Sequence, residues 1–167
     1  MTFEAVKEIL INKFGSEVIV AEETSGLQSA LVIQPDSIVD VCLELRNNDK
    51  TYFDFLSCLS GVDYGNEENK FGVVYHLASI PYKTQLVLKV VKTHIGLAAT
   101  NMPFFKSVST VWRTAEWHER EAFDLLGLYF EGNPDLRRIL LPDDWEGYPL
   151  RKNYQTPAFY KGIKVDY

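Results

Sequence analysis

The chain is poor in sulfur and in imidazole, with two cysteines, two methionines and three histidines in 167 residues. Cys42 and Cys58 stand at a spacing that matches no zinc or iron–sulfur framework, and one pair is not a disulfide scaffold. Both read as small core residues in a reducing compartment. No G-x-G-x-x-G or Walker-type loop is present, so no nucleotide or flavin site can be argued from the glycines. There is no G-x-S-x-G, and neither cysteine has a histidine near it in sequence. Long apolar runs are missing too. No segment approaches the roughly 20 apolar residues that span a bilayer. The opening MTFEAVKEIL carries acids and does not read as a signal peptide. Nor is there an excess of positive charge: the net charge is −6 and the pI about 5.1. That balance argues against nucleic acid as the partner, because phosphate contacts need a basic face. These absences describe a soluble cytoplasmic chain whose membrane contact, if any, is made through partners.

What is present is a folding sequence. Hydrophobic residues make up 46% and aromatics 13%. A domain of this length buries roughly 70% of its unfolded surface and needs neither disulfide nor metal. Phe3, Val6, Ile9, Leu10 and Phe14 recur at helical spacing between a capping Thr2 and a terminating Gly15. Glu17–Glu23 and Ser29–Gln34 read as strands around a Thr24-Ser25-Gly26 turn. A second helix opens at Pro35-Asp36, carries Ile38, Val41, Cys42 and Leu45 on one face, and ends near Arg46. Three strands are expected over Thr51–Leu59, Phe71–Ile80 and Gln85–Thr93, the last two joined by a hairpin turn at Pro81–Thr84. Gly65–Lys70 reads as an exposed loop, and the small-residue stretch Ile95–Pro103 has no clear period. A third helix is expected from Ser107 to Leu126. This order predicts an α+β two-layer sandwich, a largely antiparallel sheet with helices on one face, over residues 1–131. Gly132–Asp135 and Pro142–Asp144 are turn signals, beyond Trp145 the sequence has neither helical nor strand period, and Pro149 and Pro157 keep the chain extended. Residues 132–167 are therefore expected to form an extended C-terminal docking arm, lying on a partner, on its own protein, or on both.

Charge and aromatic bulk crowd together from Glu116 to Tyr154. A solvated surface does not need Trp117, Phe123, Tyr129, Phe130 and Trp145, and a core does not accept so many ions unless they are paired. Glu116, Arg120 and Asp124 follow one another at i, i+4, which predicts helical ion pairs. A carboxylate pair for acid–base or metal chemistry is the competing reading, weakened by Arg120 inside the cluster. His118-Glu119 fails as an H-E-x-x-H zinc motif because residue 122 is Ala122. His76 and His94 lie on strand patterns with no ligand partners in sequence and read as structural or surface residues. Arg137, Arg138, Arg151 and Lys152 are interleaved with Asp135, Asp143, Asp144 and Glu146, which favours paired carboxylates over phosphate. Gly127 suits a left-handed helix stop. No catalytic, cofactor-binding or metal-ligating constellation emerges.

The same residues carry a resemblance. Glu119-Arg120-Glu121 with Asp124-Leu125-Leu126-Gly127, then Phe130–Leu140 and Pro142–Tyr154, resemble the C subunit of the bacterial respiratory NADH:quinone oxidoreductase, complex I. Weaker likeness at Gly61-Val62-Asp63-Tyr64, Val74–Leu77 and Val108–Trp112 extends it over essentially the whole chain. The sequence departs from that family at Asn133 and Tyr148, where histidine is usual or frequent, and at Asn153, where aspartate is common. The resemblance implies a non-catalytic structural and assembly subunit of the peripheral arm, on the cytoplasmic face of the cell membrane. It implies docking beside the D subunit, with the B and I subunits as further neighbours. FMN and the iron–sulfur clusters would sit in partner subunits, none in this chain, and NADH and quinone would be bound by others. Glu119, Arg120, Glu121 and Asp124 would order the junction, and Arg137, Arg138, Trp145, Arg151 and Tyr154 would hold the arm. Ending at Tyr167, the chain reads as separate from the D subunit. The alternatives are the equivalent subunit of a membrane-bound hydrogenase or NADH-independent quinone reductase and, from another class, a free-standing soluble enzyme.

Overall fold

A computed structural model describes residues 2–65, 68–93 and 102–165. Helix α1 (Phe3–Phe14) begins where Thr2 Oγ1 accepts the N–H of Ala5 and stops at Gly15, whose φ of 87° is open to glycine without strain. Strands β1 (Ile19–Glu23) and β2 (Ala30–Ile33) form an antiparallel hairpin. Helix α2 (Ile38–Asn47) follows, then β3 (Phe55–Asp63), β4 (Lys70–Ser79) and β5 (Thr84–Thr93) as an antiparallel meander. The five strands order as β1-β2-β5-β4-β3, and only the β2–β5 pair is parallel. The chain is thus α+β with a largely antiparallel sheet.

Period-2 alternation decides the faces. In β4, Phe71, Val73, Tyr75 and Leu77 are buried, while Val74, His76 and Ala78 on the other face are half-buried. The first set meets Val6 and Leu10 of α1 and Ile38, Val41, Cys42 and Leu45 of α2 in one core. Helix α3 (Ala115–Leu126) joins the same layer through Ala115, Ala122 and Leu126.

Several boundaries differ from the sequence-based expectation. The third strand starts at Phe55 rather than Thr51, because Thr51 Oγ1 and the Phe53 N–H both donate to the Leu45 carbonyl, 2.7 and 2.9 Å away, and tie 51–53 to the end of α2. The third helix starts at Ala115 rather than Ser107. Val108, Val111 and Trp112 are buried at helical spacing, but residues 107–114 run in turns. Trp112 Nε1 is drawn to the Phe53 carbonyl at 3.0 Å and the Val108 N–H to Glu119. A parallel ribbon absent from the expectation, β6 (Phe104–Lys106) with β7 (Tyr129–Glu131), brackets α3 and places Phe105 beside Phe130. A hairpin, β8 (Phe159–Tyr160) with β9 (Ile163–Lys164), lies in the segment expected to be extended. His94 and most of Ile95–Pro103 lie outside the described residues, as does the middle of the loop expected at Gly65–Lys70.

The seat of α3 depends on Gly61. A Cβ there would lie 2.7 Å from Leu126 Cδ1 and 2.8 Å from Leu128 Cδ1, so both buried leucines would have to shift. Gly61→Ala should therefore lower stability by about 1–3 kcal/mol, read as a fall in the urea midpoint with an unchanged slope.

Candidate functional site

Three ionisable side chains of α3 are withdrawn from water: Glu119 and Asp124 are 0% exposed and Arg120 is 7% exposed. Burial of that kind is tolerated only where each charge is hydrogen-bonded. Their partners come largely from the segment after Gly132, and together they form a clasp.

Asp124 is its centre. One carboxylate oxygen, Oδ2, accepts the backbone N–H groups of Ile139, Leu140 and Leu141 at 3.0, 2.7 and 2.8 Å. The other, Oδ1, accepts from Arg138 Nη1 at 2.7 Å. The Arg138 guanidinium continues the chain of contacts, donating through Nη2 to the carbonyls of Trp145 and Gly147 at 3.0 and 3.3 Å. Burial alone would raise the Asp124 carboxyl. The Leu141 N–H, the Arg138 guanidinium and the N–H groups of Ile139 and Leu140 outweigh it and hold the group below its ordinary value.

Arg120 grips the segment one turn earlier. Its Nε and Nη2 donate to the carbonyls of Arg137 and Arg138 at 3.2 and 3.1 Å, and its guanidinium stacks on Trp117 at 5.4 Å. Glu119 faces inward. Its oxygens accept from the Val108 N–H (2.9 Å), Ser107 Oγ (2.7 Å) and Asn133 Nδ2 (2.8 Å). Burial raises its carboxyl above the ordinary value in spite of these donors. The helical ion pairs expected among Glu116, Arg120 and Asp124 do not form among the described residues. The side chains that would make them are committed to the 133–141 segment instead, and Glu116 faces Arg113 at 4.0 Å.

The helix end completes the clasp. Gly127 is left-handed (φ 66°, ψ 38°), and its N–H reaches the carbonyls of Ala122 and Phe123. A Cβ at Gly127 would stand 2.6 Å from the Tyr148 ring and 2.7 Å from Arg151 Nη2, so the position demands glycine twice over. Arg151 caps the last carbonyls of α3, donating through Nε to Leu126 at 2.7 Å and through Nη2 to Gly127 at 3.3 Å, where a cation also complements the helix dipole. Its guanidinium lies 4.7 Å from the Tyr148 ring and 5.4 Å from Phe71. The Leu150 N–H bonds to Leu125 and the Lys152 N–H to Asp63 of β3. Trp145 packs against Tyr160 with ring centroids 5.0 Å apart and the rings tilted by 48°, and the Tyr160 hydroxyl and Lys161 both hold Asp144. Tyr154 packs its ring against Gly147.

Of the residues singled out from sequence, Glu121 and Arg137 stand apart. Glu121 is exposed and faces a cleft beside β3, and Arg137 is exposed and pairs with Asp135 at 2.9 Å. Asn133, Tyr148, Asp63 and Asp144 hold the clasp but do not stand out in the sequence as site residues. Asn133 sits in a Gly-Asn-Pro-Asp run legible only as a turn, and the other three gain their partners at long range. Cys42 is fully buried, which pushes its thiol far above the ordinary value and removes it as a nucleophile. Among the described residues no group of three or more His, Cys, Asp or Glu side chains is placed to hold a metal, and no helix is long and apolar enough to cross a membrane.

A family model described as the respiratory-chain NADH dehydrogenase 30 kDa subunit matches residues 31–160. The NADH-quinone oxidoreductase C subunit of Chlorobium phaeobacteroides is 42% identical over 163 residues, covering 98% of this chain and 95% of the relative. The C subunit of Chloroherpeton thalassium is 40% identical, and there this chain spans 65% of the relative's length. Among solved structures, a chain of the membrane-bound sulfane sulfur reductase, an archaeal respiratory membrane complex, superposes with a TM-score of 0.72 at 24% identity. The match covers 93% of this chain and 86% of that one, and the likeness is one of fold.

The clasp carries a pH signature. A carboxyl held below its ordinary 3.8 contributes stability that is complete above about pH 4 and is lost as pH falls through its folded value. The protection factors of the Ile139–Leu141 amides, taken relative to intrinsic exchange at each pH, should therefore fall below about pH 4. Asp124→Asn should abolish that pH dependence and lower stability by about 3 kcal/mol at neutral pH, since Arg138 loses its counter-charge.

Proposed function

The chain belongs to the family of the respiratory-chain NADH dehydrogenase 30 kDa subunit, and from that premise we propose that it is a non-catalytic docking subunit of a proton-translocating NADH:quinone oxidoreductase. It sits in the peripheral arm at the cytoplasmic face, beside the D subunit, with the B and I subunits as further neighbours. The complex passes electrons from NADH through FMN and iron–sulfur clusters in those other subunits to quinone. This chain contributes the shape on which neighbours assemble.

The observation that carries this reading is the two-sidedness of the clasped arm. On its inner side the backbone and cations of 137–152 bond to α3. On its outer side Leu140, Leu150, Phe159 and Ile163 are all 59% or more exposed. A segment that spends its polar groups inward and turns large apolar groups outward presents a surface suited to burial by another protein. The clasp gives that surface a defined shape before a partner arrives, which reduces the ordering cost of association. The relatives' names weigh for NADH and quinone as the redox partners. The likeness to a chain of an archaeal sulfane sulfur reductase supports a second reading, the equivalent subunit of a complex with another electron donor.

The test is recovery of partners from detergent-solubilised membranes by the full-length chain tagged at its N-terminus. The native chain should bring down quinone-reductase subunits, and the flavin-bearing NADH subunits with them if the first reading holds. The double variant Leu140→Asp, Phe159→Asp should melt as the native chain does and recover less than about a tenth of those subunits. Native-level recovery by that variant would count against docking through the arm.

A further inference from the structure

The two edges of the five-stranded sheet are guarded unequally. Strand β1 carries Glu22 and Glu23, paired with Lys7 and Lys89, the kind of charge that keeps an edge from recruiting another strand. Strand β3, at the opposite edge, reads FLSCLSGVD, with no proline and a single charge, Asp63, at its last residue. An irregularity near Ser57 breaks the ladder once, and from Cys58 to Asp63 the register with β4 is regular. An antiparallel strand with one neighbour turns the N–H and C=O of alternate residues away from that neighbour. Among the described residues, no backbone group outside β4 bonds to the main chain of 58–62.

Beside this edge lies a cleft of about 330 Å³. Its floor is Cys58, Leu59, Ser60 and Gly61, and its wall is the flank of α3 carrying Ala122, Leu125 and Leu126. His118 and Glu121 stand on the rim, and Leu150 of the arm closes one end. Among the described residues no ion pair holds the exposed Glu121. The cleft therefore offers a row of backbone donors and acceptors along one side, an apolar wall along the other, and a free negative charge at the lip. A row of amides spaced along a strand is complementary to one kind of ligand, an extended polypeptide.

We propose that the cleft between the free edge of β3 and helix α3 receives an extended segment of another subunit as a sixth strand of the sheet, with apolar side chains turned toward α3 and a lysine or arginine opposite Glu121. The five residues 58–62 offer about 17 Å of edge, enough for a short strand. Backbone pairing supplies the affinity, and Glu121 with the apolar wall selects the sequence. A second copy of this chain is disfavoured, because it would bring its own α3 and Glu121 toward the same rim. The proposal rests on the reading of this chain as a docking subunit but uses a surface that shares only Leu150 with the outward face of the arm.

The experiment compares the full-length chain alone with the complex recovered from native membranes. Hydrogen exchange at the outward amides of 58–62 should be fast in the free chain and slowed about a hundredfold or more in the complex. A benzophenone photocrosslinker in place of the exposed Ser60 should join the chain to one segment of another subunit. Mass spectrometry of the adduct should read alternating apolar residues with a lysine or arginine. Glu121→Lys, at an exposed position that leaves the fold intact, should lower adduct yield about tenfold, matching an interaction change of about 1.4 kcal/mol. An assembled complex in which the 58–62 amides still exchange freely, or adducts joining only two copies of this chain, would overturn the proposal and leave docking through the arm standing. A chain that recovers no partners at all would overturn both.

Discussion

A carboxylate taken fully out of water has to be replaced in its hydrogen bonds by the protein, and Asp124 meets that requirement with consecutive backbone N–H groups and one arginine. None of those donors belongs to its own helix. The solvation demand of one side chain therefore dictates the path of residues 138–141, and through the second arm of the Arg138 guanidinium the turn at 145–147. The arm has almost no regular structure to hold it, so polar satisfaction takes the place that a ladder or a hydrophobic stripe fills elsewhere in the molecule.

The other contacts of the clasp follow the same logic. Arg120 and Arg151 spend their fixed, planar donors on carbonyl oxygens that would otherwise be unsatisfied, at 137–138 and at the end of α3. Gly127 makes this possible by ending α3 in a left-handed turn and leaving room for Tyr148 and Arg151 where any Cβ would intrude. Glu119 looks the other way. It organises the turns that lead into α3 through Ser107 and Val108, and it reaches the start of the arm through Asn133. Burial pushes both carboxyls up; in Asp124 a dense array of N–H donors and a cation overcome it, while the neutral donors to Glu119 do not.

This arrangement bears on how the chain can serve a complex. An arm clasped by short, specific polar contacts is already shaped, and its remaining exposed groups are large and apolar. The edge of β3 is a different resource, with outward-facing backbone beside an apolar helix flank. One surface suits packing against a folded partner and the other suits a strand. Under the proposed docking role, the two surfaces would hold two kinds of neighbour at once.

Much of the molecule was legible in the residue order. Helical spacing from Phe3 to Phe14, the alternation of Phe71–Ser79 and the Pro81–Thr84 turn located α1, β4 and the β4–β5 hairpin, because these signals act over a few residues and agree with the core that forms. Gly127 marked a helix stop for the same local reason. Where the reading failed, long-range bonds had overruled a local pattern. Val108, Val111 and Trp112 have helical spacing, but Glu119 and the Phe53 carbonyl hold their segment in turns. Glu116, Arg120 and Asp124 have the spacing of helical ion pairs, but residues distant in sequence offered the buried charges better partners. The parallel pairing of β6 with β7 likewise joins segments on opposite sides of α3. Residue order alone thus settles most of the elements, the α+β class and the stretch where charge and aromatic bulk concentrate. Which backbone each buried charge grips was left to the folded molecule, because that choice depends on which donors the fold brings within about 3 Å of an atom removed from water.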